Sequence, residues 1–344
     1  MSERASAVLD QVPPEWDALV ASDPSASPSH QPVVWDALVA VFPGYEWRLL
    51  VHREDGALAG GAPVMLSRRG PFRWLHALPW LLPAAPIARP GAHARSDAAL
   101  ARTFAKLARE LRVVGGEWSF YRPGAPAPEP AVLEMVPGET RRFEAALLPL
   151  AGGLEARRAA MGRKQRQSLA QARERGLAFA EDSAALDEAY TLHCQQSRHW
   201  PGHRPLPLEL SRRLLAARAH GVPVARLFTL RSARGLVAAT LALDGAHETF
   251  PWWSGTHPDG RRLQAFTLLM WQVAEWAAAH GRQRVNLGAS TGLDAVSSFK
   301  RSLGAEIESY PVRWLDARHA GLAGRALAGL QSWRRRGRPR GEAA

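Results

Sequence analysis

The sequence predicts an α/β chain of the mixed (α+β) kind, built from one mostly antiparallel sheet unit used twice. Three observations predict it. The signals run in the same order in both halves: strand, turn, strand, an aromatic stretch, a long apolar helix, and a last strand. The halves also share local patterning, GALAGGAPVML beside GLVAATLALD and TFAKLARELRVVGGEWSFYR beside LLMWQVAEWAAAHGRQRVNLG. Finally, 344 residues with 46% hydrophobic content and 13 Trp exceed one small domain and suffice for real cores.

In the first half, the apolar spacing of Pro32–Val41 reads as a helix that stops at Pro43-Gly44. Residues 46–52 and 58–66 read as strands around the turn Glu54-Asp55-Gly56. A Pro-rich apolar stretch, ALPWLLPAAPIARP, precedes a helix expected to be capped by Asp97, and residues 117–121 are strand-like. In the second half, residues 224–231, 236–243 and 248–255 read as strands, 264–279 as a long apolar helix and 284–287 as a strand. Between the halves lie a strand at 141–148 and one basic helix at 153–176, with Gly176 as its C-cap. The expected boundaries are a first domain at 1–122, a Pro-rich linker at 123–139, a second domain at 140–316 and a basic helix and tail at 317–344. Residues 30–122 and 220–315 are the expected copies.

Composition narrows the function class. The single cysteine, Cys194, excludes an internal disulfide framework and suits a reducing cytoplasm. No signal-peptide pattern opens the chain, and its most apolar stretch, residues 75–88, is short and broken by three prolines. A net charge of +12 points to an anionic partner such as phosphate, tRNA or a lipid headgroup. Five arginines and one glutamate crowd residues 331–344, so peripheral contact of this tail with the inner membrane surface is one expectation and a frayed basic tail the plainer one. The group His193, Cys194, His199 and His203 matches no standard zinc spacing, so no metal is expected.

One position stands out. Only three of the 44 Lys+Arg residues are lysines, and Lys300 lies in the motif Phe299-Lys300 followed by Gly304. Where arginine fills nearly every basic position, a retained lysine suggests a site that wants a compact ammonium rather than a planar fork. The stretches FEAALLPLAGGLEARRAAMGRKQRQSLAQARERGLAFAE, LHCQQSRHW, VAATLALDGAHETFPWWSGTHPD and NLGASTGLDAVSSFKRSLGA resemble, in order and spacing, the second domain of FemAB-type transferases and their GNAT-like relatives. The likeness is strong over 140–315 and weaker over 30–122.

The resemblance implies two tandem GNAT-like domains. It also implies transfer of an acyl or aminoacyl group to an amine, the best-known relatives moving an aminoacyl group from a tRNA onto a peptidoglycan precursor. Lys300 takes the role of the lysine at the donor end of the reaction, an ammonium in an exposed cleft that pairs with a donor phosphate or steadies an oxyanion. Phe299 packs beside it, and Trp252 and Trp253 line the substrate side. Arg163, Lys164 and Arg166 on the basic helix are candidate phosphate contacts, although a solvated helix face is the ordinary reading of such a run. Glu248, near where GNAT enzymes part their central strands, is the candidate general base.

At the start of the long helix, GNAT enzymes that use CoA carry R-x-x-G-x-G/A so that backbone N–H groups reach the pyrophosphate. Here Arg261 and Arg262 are followed by Leu263 and Gln264, and only Ala265 fits. No tightly bound cofactor is expected, the donor being aminoacyl-tRNA or an acyl-CoA. The expected function is an acyl- or aminoacyltransferase acting on an amine of a cell-envelope precursor, peptidoglycan or polysaccharide. The alternatives are an acyl-CoA-dependent N-acetyltransferase of a small amine or sugar, and a non-catalytic module binding RNA or polysaccharide machinery.

Overall fold

The computed structural model describes residues 4–80, 82–125, 127–200, 204–290 and 294–315. The chain begins with β1 (Arg4–Leu9), α1 (Trp16–Ser22) and α2 (Pro32–Val41), the last opened by a proline whose missing N–H is not needed there. The strands β2 (Tyr45–Glu54), β3 (Ala57–Arg69) and β4 (Phe72–His76) follow, the first turn made by Asp55 and Gly56 at φ of +50° and +78°. Then come β5 (Ile87–Ala88), α3 (His93–Glu110), β6 (Gly115–Ser119), α4 (Pro130–Glu134) and β7 (Glu139–Pro149).

The chain continues through α5 (Gly153–Ala160), α6 (Arg163–Arg173), β8 (Ala178–Glu181), α7 (Leu186–Ser197), α8 (Leu208–Ala216) and the small pair β9 (Arg218–Ala219) and β10 (Val222–Pro223). The strands β11 (Ala225–Ser232), β12 (Gly235–Asp244) and β13 (Glu248–Thr256) lead to a one-turn helix α9 (Pro258–Arg262) and α10 (Ala265–Ala279). The last elements are β14 (Arg284–Ala289), α11 (Asp294–Ser302) and β15 (Glu306–Leu315).

Two compact units result. The first holds residues 4–23, 43–142 and 310–315 of the described chain, the second 24–42 and 143–309. In the first, strands lie in the order β1-β2-β3-β4-β6-β15, antiparallel except for β4 beside β6, which α3 connects. In the second the order is β8-β11-β12-β13-β14-β7, antiparallel except for β13 beside β14, which α10 connects. Even the irregularity near the turn of the central hairpin recurs, at His52/Arg53 and at Leu230/Arg231. The fold is therefore mixed α/β with one topology used twice, as the repeated patterning implies.

Both central strands, β3 and β12, are buried on both faces, which a sheet packed against helices on each side requires. In the first unit Leu100, Phe104 and Leu107 of α3 meet Leu75, Val64 and Trp118 of the sheet. In the second, α10 packs Leu268, Leu269 and Val273 against one face, while Leu186, Ala189 and Leu192 of α7 join Leu227, Leu241 and Trp253 on the other.

Three expectations are corrected. The basic helix at 153–176 is two helices, because the chain turns extended at Met161, whose buried side chain anchors the break. Asp97 is not a cap. It lies inside α3, is 2% exposed, and pairs with the Arg122 guanidinium at 2.5 Å. The partition also differs from the sequence-drawn boundaries, since residues 24–42 join the second unit, where α2 packs on α8, and residues 310–315 complete the first.

Candidate active site

In the second unit, β13 and β14 pair in parallel only at Glu248↔Arg284 and Thr249↔Val285. Beyond that point β13 runs on to Thr256 and β14 to Ala289 without further pairing, so the sheet opens between them. β14 also shifts register against β7 between Asn286 and Ala289, and Gly288 there has φ of +73°. The space next to Gly288 is taken by Phe250, whose ring lies 3.1 Å from where a Cβ would stand.

At the closed end of this opening sits Glu248. It is fully buried, accepts from Arg284 Nε at 2.7 Å and from Asn286 Nδ2 at 3.3 Å, and burial raises its pKa. Arg284 donates as well to the carbonyls of Pro24 and Ala26, at 2.8 and 3.4 Å. A carboxylate so enclosed and paired has no path to a substrate proton. The general-base expectation for Glu248 is corrected to a structural one, ion-paired at the base of the site.

Asn286 carries the network outward. Its Oδ1 accepts from Gly288 N–H at 2.9 Å, an Asx-type contact that fixes this peptide. The carbonyls of Gly288 and Ala289 in turn accept from Lys300 Nζ, at 2.9 and 2.8 Å. Lys300 is 9% exposed, not the open-cleft lysine the motif suggested, and burial lowers its pKa to about 8. Gly304, the glycine of the motif, takes φ of +86° and closes α11, so that position is a left-handed helix stop. Phe299 stacks on Phe266 of α10 at 5.5 Å and seats α11 against that helix.

Two helix starts lie together in the same unit. α6 and α10 run side by side, with Gln165 donating to Thr267 Oγ1 at 2.5 Å and Arg173 to Glu275 at 2.5 Å eight residues later on both helices. Their N-termini therefore adjoin, and both present partial positive charge. Arg163 and Lys164 are exposed at the start of α6, and Arg261 just before α10, with no carboxylate within ion-pair reach among the described residues. Arg262 is also exposed and approaches Asp259 only to 3.8 Å. Arg166 serves differently, donating to the carbonyls of Ala159 and Met161 at the end of α5, so it is corrected from a phosphate contact to a helix clasp.

The segment where CoA enzymes keep an open glycine loop is folded back on itself. The N–H groups of Arg261, Leu263 and Gln264 donate to His257, Asp259 and Arg261 carbonyls, and Gln264 is held at φ of +56°. Ala265 is fully buried as the first residue of α10. Its side chain therefore packs inward.

Trp253 is corrected from a substrate-side residue to a core one. It is 8% exposed, donates from Nε1 to Ser211 Oγ at 3.2 Å, and lies against the His193 ring at 5.0 Å, tilted by 32°. Trp252 is half-buried against the same cluster. His193 Nδ1 contacts the Ser254 carbonyl at 2.9 Å, and no metal-type cluster forms among the described residues; His203 lies outside them, as does the basic tail from 316 on. Among the described residues no helix is long and apolar enough to cross a membrane. Sequence reasoning missed Asn286, Arg284, Gln165 and the Gly288–Ala289 carbonyls. Asn286 two residues before Gly288 was the available signal.

Residues 156–301 match the family model described as an acetyltransferase (GNAT) domain. No curated protein matches the chain in sequence. Among solved structures, the chain superposes on FemX with a TM-score of 0.67, at 11% identity over 89% of this chain and 96% of that one. A tandem GNAT protein from the clavulanic acid biosynthesis pathway gives a TM-score of 0.50, at 15% identity over 91% and 98% of the two chains. The C-terminal domain of a putative lysylphosphatidylglycerol synthetase from Agrobacterium fabrum gives 0.51, at 16% identity over 78% and 84%. The tandem GNAT fold is thus shared across these proteins, and the resemblance read from the sequence holds at the level of the fold.

Proposed function

Starting from this tandem GNAT fold, we propose that the chain is an N-acyltransferase that places an acyl or aminoacyl group on an amine of a cell-envelope precursor. The observation that carries the reading is the opening between β13 and β14, with the buried Lys300 amine bonded to the β14 carbonyls of Gly288 and Ala289 where that strand runs unpaired to β13, and two adjoining helix N-termini beside exposed Arg163, Lys164 and Arg261. An acyl donor needs its carbonyl held against a neutral amine, and an anionic carrier needs cations and N–H groups to hold it. No protein nucleophile is required, since the amine attacks the acyl carbon directly. Arg262 adds charge beside Arg261, Phe299 seats α11 against α10 next to Lys300, and Trp252 lies on β13.

The folded-back turn from His257 to Gln264 favours aminoacyl-tRNA over CoA, because the N–H groups of Leu263 and Gln264 are already spent. The matched acetyltransferase domain favours acyl-CoA as the second reading. Offering purified protein acetyl-CoA or alanyl-tRNA, with a lysine-containing nucleotide-linked peptidoglycan precursor as acceptor, tests both. Transfer from alanyl-tRNA is expected, with CoA binding only in the millimolar range, about −4 kcal/mol. Micromolar acetyl-CoA binding by calorimetry promotes the second reading, and no transfer from either donor overturns both.

A further inference from the structure

We propose that the first unit carries a second catalytic site, an esterase centre formed by Ser67, His76 and Glu117, which cleaves esters of aryl or other apolar groups. It stands apart from the acyltransferase reading, since all three residues belong to the first unit. The neighbouring strands β3, β4 and β6 bring them together. His76 faces Glu117 in the parallel register of β4 and β6. Ser67 lies on β3 opposite Trp74, two residues before His76 on β4, so all three side chains share one face of the sheet. The helix α3 packs on the other face, against Val64, Leu66 and Leu75.

The hydrogen bonds run in the order that activates a hydroxyl. Glu117 Oε2 lies 2.9 Å from His76 Nδ1, and a carboxylate accepts, so the ring proton sits on that nitrogen. Nε2 keeps its lone pair, and the Ser67 hydroxyl lies 3.4 Å from it as donor. Acid, imidazole and hydroxyl thus form a relay in which Glu117 is the positioning residue, His76 the base and Ser67 the nucleophile. In the second unit the parallel strands hold Glu248, fully buried and sealed by Arg284 and Asn286. In the first, the side chains of His76 and Glu117 are 19% and 21% exposed, at the last rung where β4 pairs with β6. Ser67 is 4% exposed, and its cross-strand neighbours on this face are Tyr45 and Trp74, both half-buried. Aromatic rings therefore flank the hydroxyl, and they offer an aryl or apolar acyl group a stacking surface. Arg69 is exposed two residues beyond Ser67 on the same face, 5.9 Å from the Trp74 ring, with no carboxylate in ion-pair reach among the described residues. It supplies positive charge for the developing oxyanion.

The reaction consumes only the ester and water. Ser67 Oγ attacks the ester carbonyl while its proton passes to His76 Nε2. The bond from the acyl carbon to the alcohol oxygen breaks, and His76 returns the proton to that oxygen. Water then attacks the acyl-serine and gives its proton to Nε2. The bond to Ser67 Oγ breaks, the proton goes back to Ser67, and a carboxylic acid leaves.

A fluorophosphonate probe reacts with activated serines, and peptide mass spectrometry locates it. The full chain should take up one label, on Ser67, and should hydrolyse p-nitrophenyl butyrate. Ser67→Ala should lose both label and hydrolysis. His76→Ala and Glu117→Gln should slow both by about 10²–10⁴-fold, with Glu117→Asp restoring part of the rate. Melting curves confirm that the variants fold, and labelling of the wild type needs no variant. A wild type without label on Ser67, hydrolysis retained by Ser67→Ala, or labelling indifferent to His76→Ala overturns the site and leaves the acyltransferase reading standing. Acyl transfer is assayed separately with acetyl-CoA and alanyl-tRNA, so its failure does not bear on Ser67.

Discussion

Lys300 shows how one side chain can be legible in type and illegible in state. Its rarity and its motif marked it in the sequence, but nothing local announced that it is buried against two carbonyls of a strand 11 and 12 residues earlier. Burial has a consequence for stability. The folded-state pKa of about 8 lies below the ordinary value of 10.5, so between these values the unfolded chain binds more protons than the native one. Stability contributed by this group therefore rises as pH climbs from 8 to 10.5, by about 1.4 kcal/mol for each unit of displacement. Urea unfolding at pH 7.5, 9 and 10 should show the wild type gaining on Lys300→Met as pH rises; a constant difference would contradict the buried state. Glu248 was misread for the complementary reason. Its partner Arg284 lies 36 residues away, and only the pairing of β13 with β14 brings them together.

At the scale of elements, strands and the long helices were readable because their apolar periods are strong. Residues 32–41 emerge as α2 without change, and the aromatic run at 248–256 is a strand. Breaks were harder, since Gly162 is one weak helix former in a run that otherwise favours helix, and the burial of Met161 in the core fixes the turn beside it. The turn before α10 is held by close backbone approach. A Cβ on Gly260 would stand 2.2 Å from the Val237 carbonyl, and on Gly116, at φ of +143°, 1.8 Å from that of Leu75. Gly260→Ala and Gly116→Ala should each destabilise the protein by about 1–3 kcal/mol, read as an earlier urea midpoint, whereas Gly162→Ala, at φ of −58° with its nearest neighbour at 3.8 Å, costs less. Breaking the buried pair in α3 is a harsher test. Arg122→Met leaves Asp97 buried without its partner, and a loss of about 3–5 kcal/mol is expected in the same assay.

For the whole molecule, the repeated strand order was legible because both copies use the same sequence of hairpin, helix and parallel strand. The routing was not. Periodicity says which residues face a core, not which core, and so residues 24–42 and 310–315 were assigned to the wrong neighbours by their place in the chain. A cut at the linker would therefore take the strand β15 from the first unit and the helix α2 from the second. Fragments 1–142 and 143–344, expressed apart, should be unfolded by circular dichroism, and each should regain structure only when mixed with the other. An independently folded 1–142 fragment would show that β15 is dispensable to the first unit.

That interleaving also governs the order of events during synthesis. The first unit to leave the ribosome cannot close its sheet until β15, near residue 310, has emerged, by which time all of the second unit has been made. The second unit, whose strap at 24–42 is already available, finishes first. The N-terminal half then waits with the edge of β6 uncovered, an interval in which the nascent chain is open to pairing with any extended strand nearby.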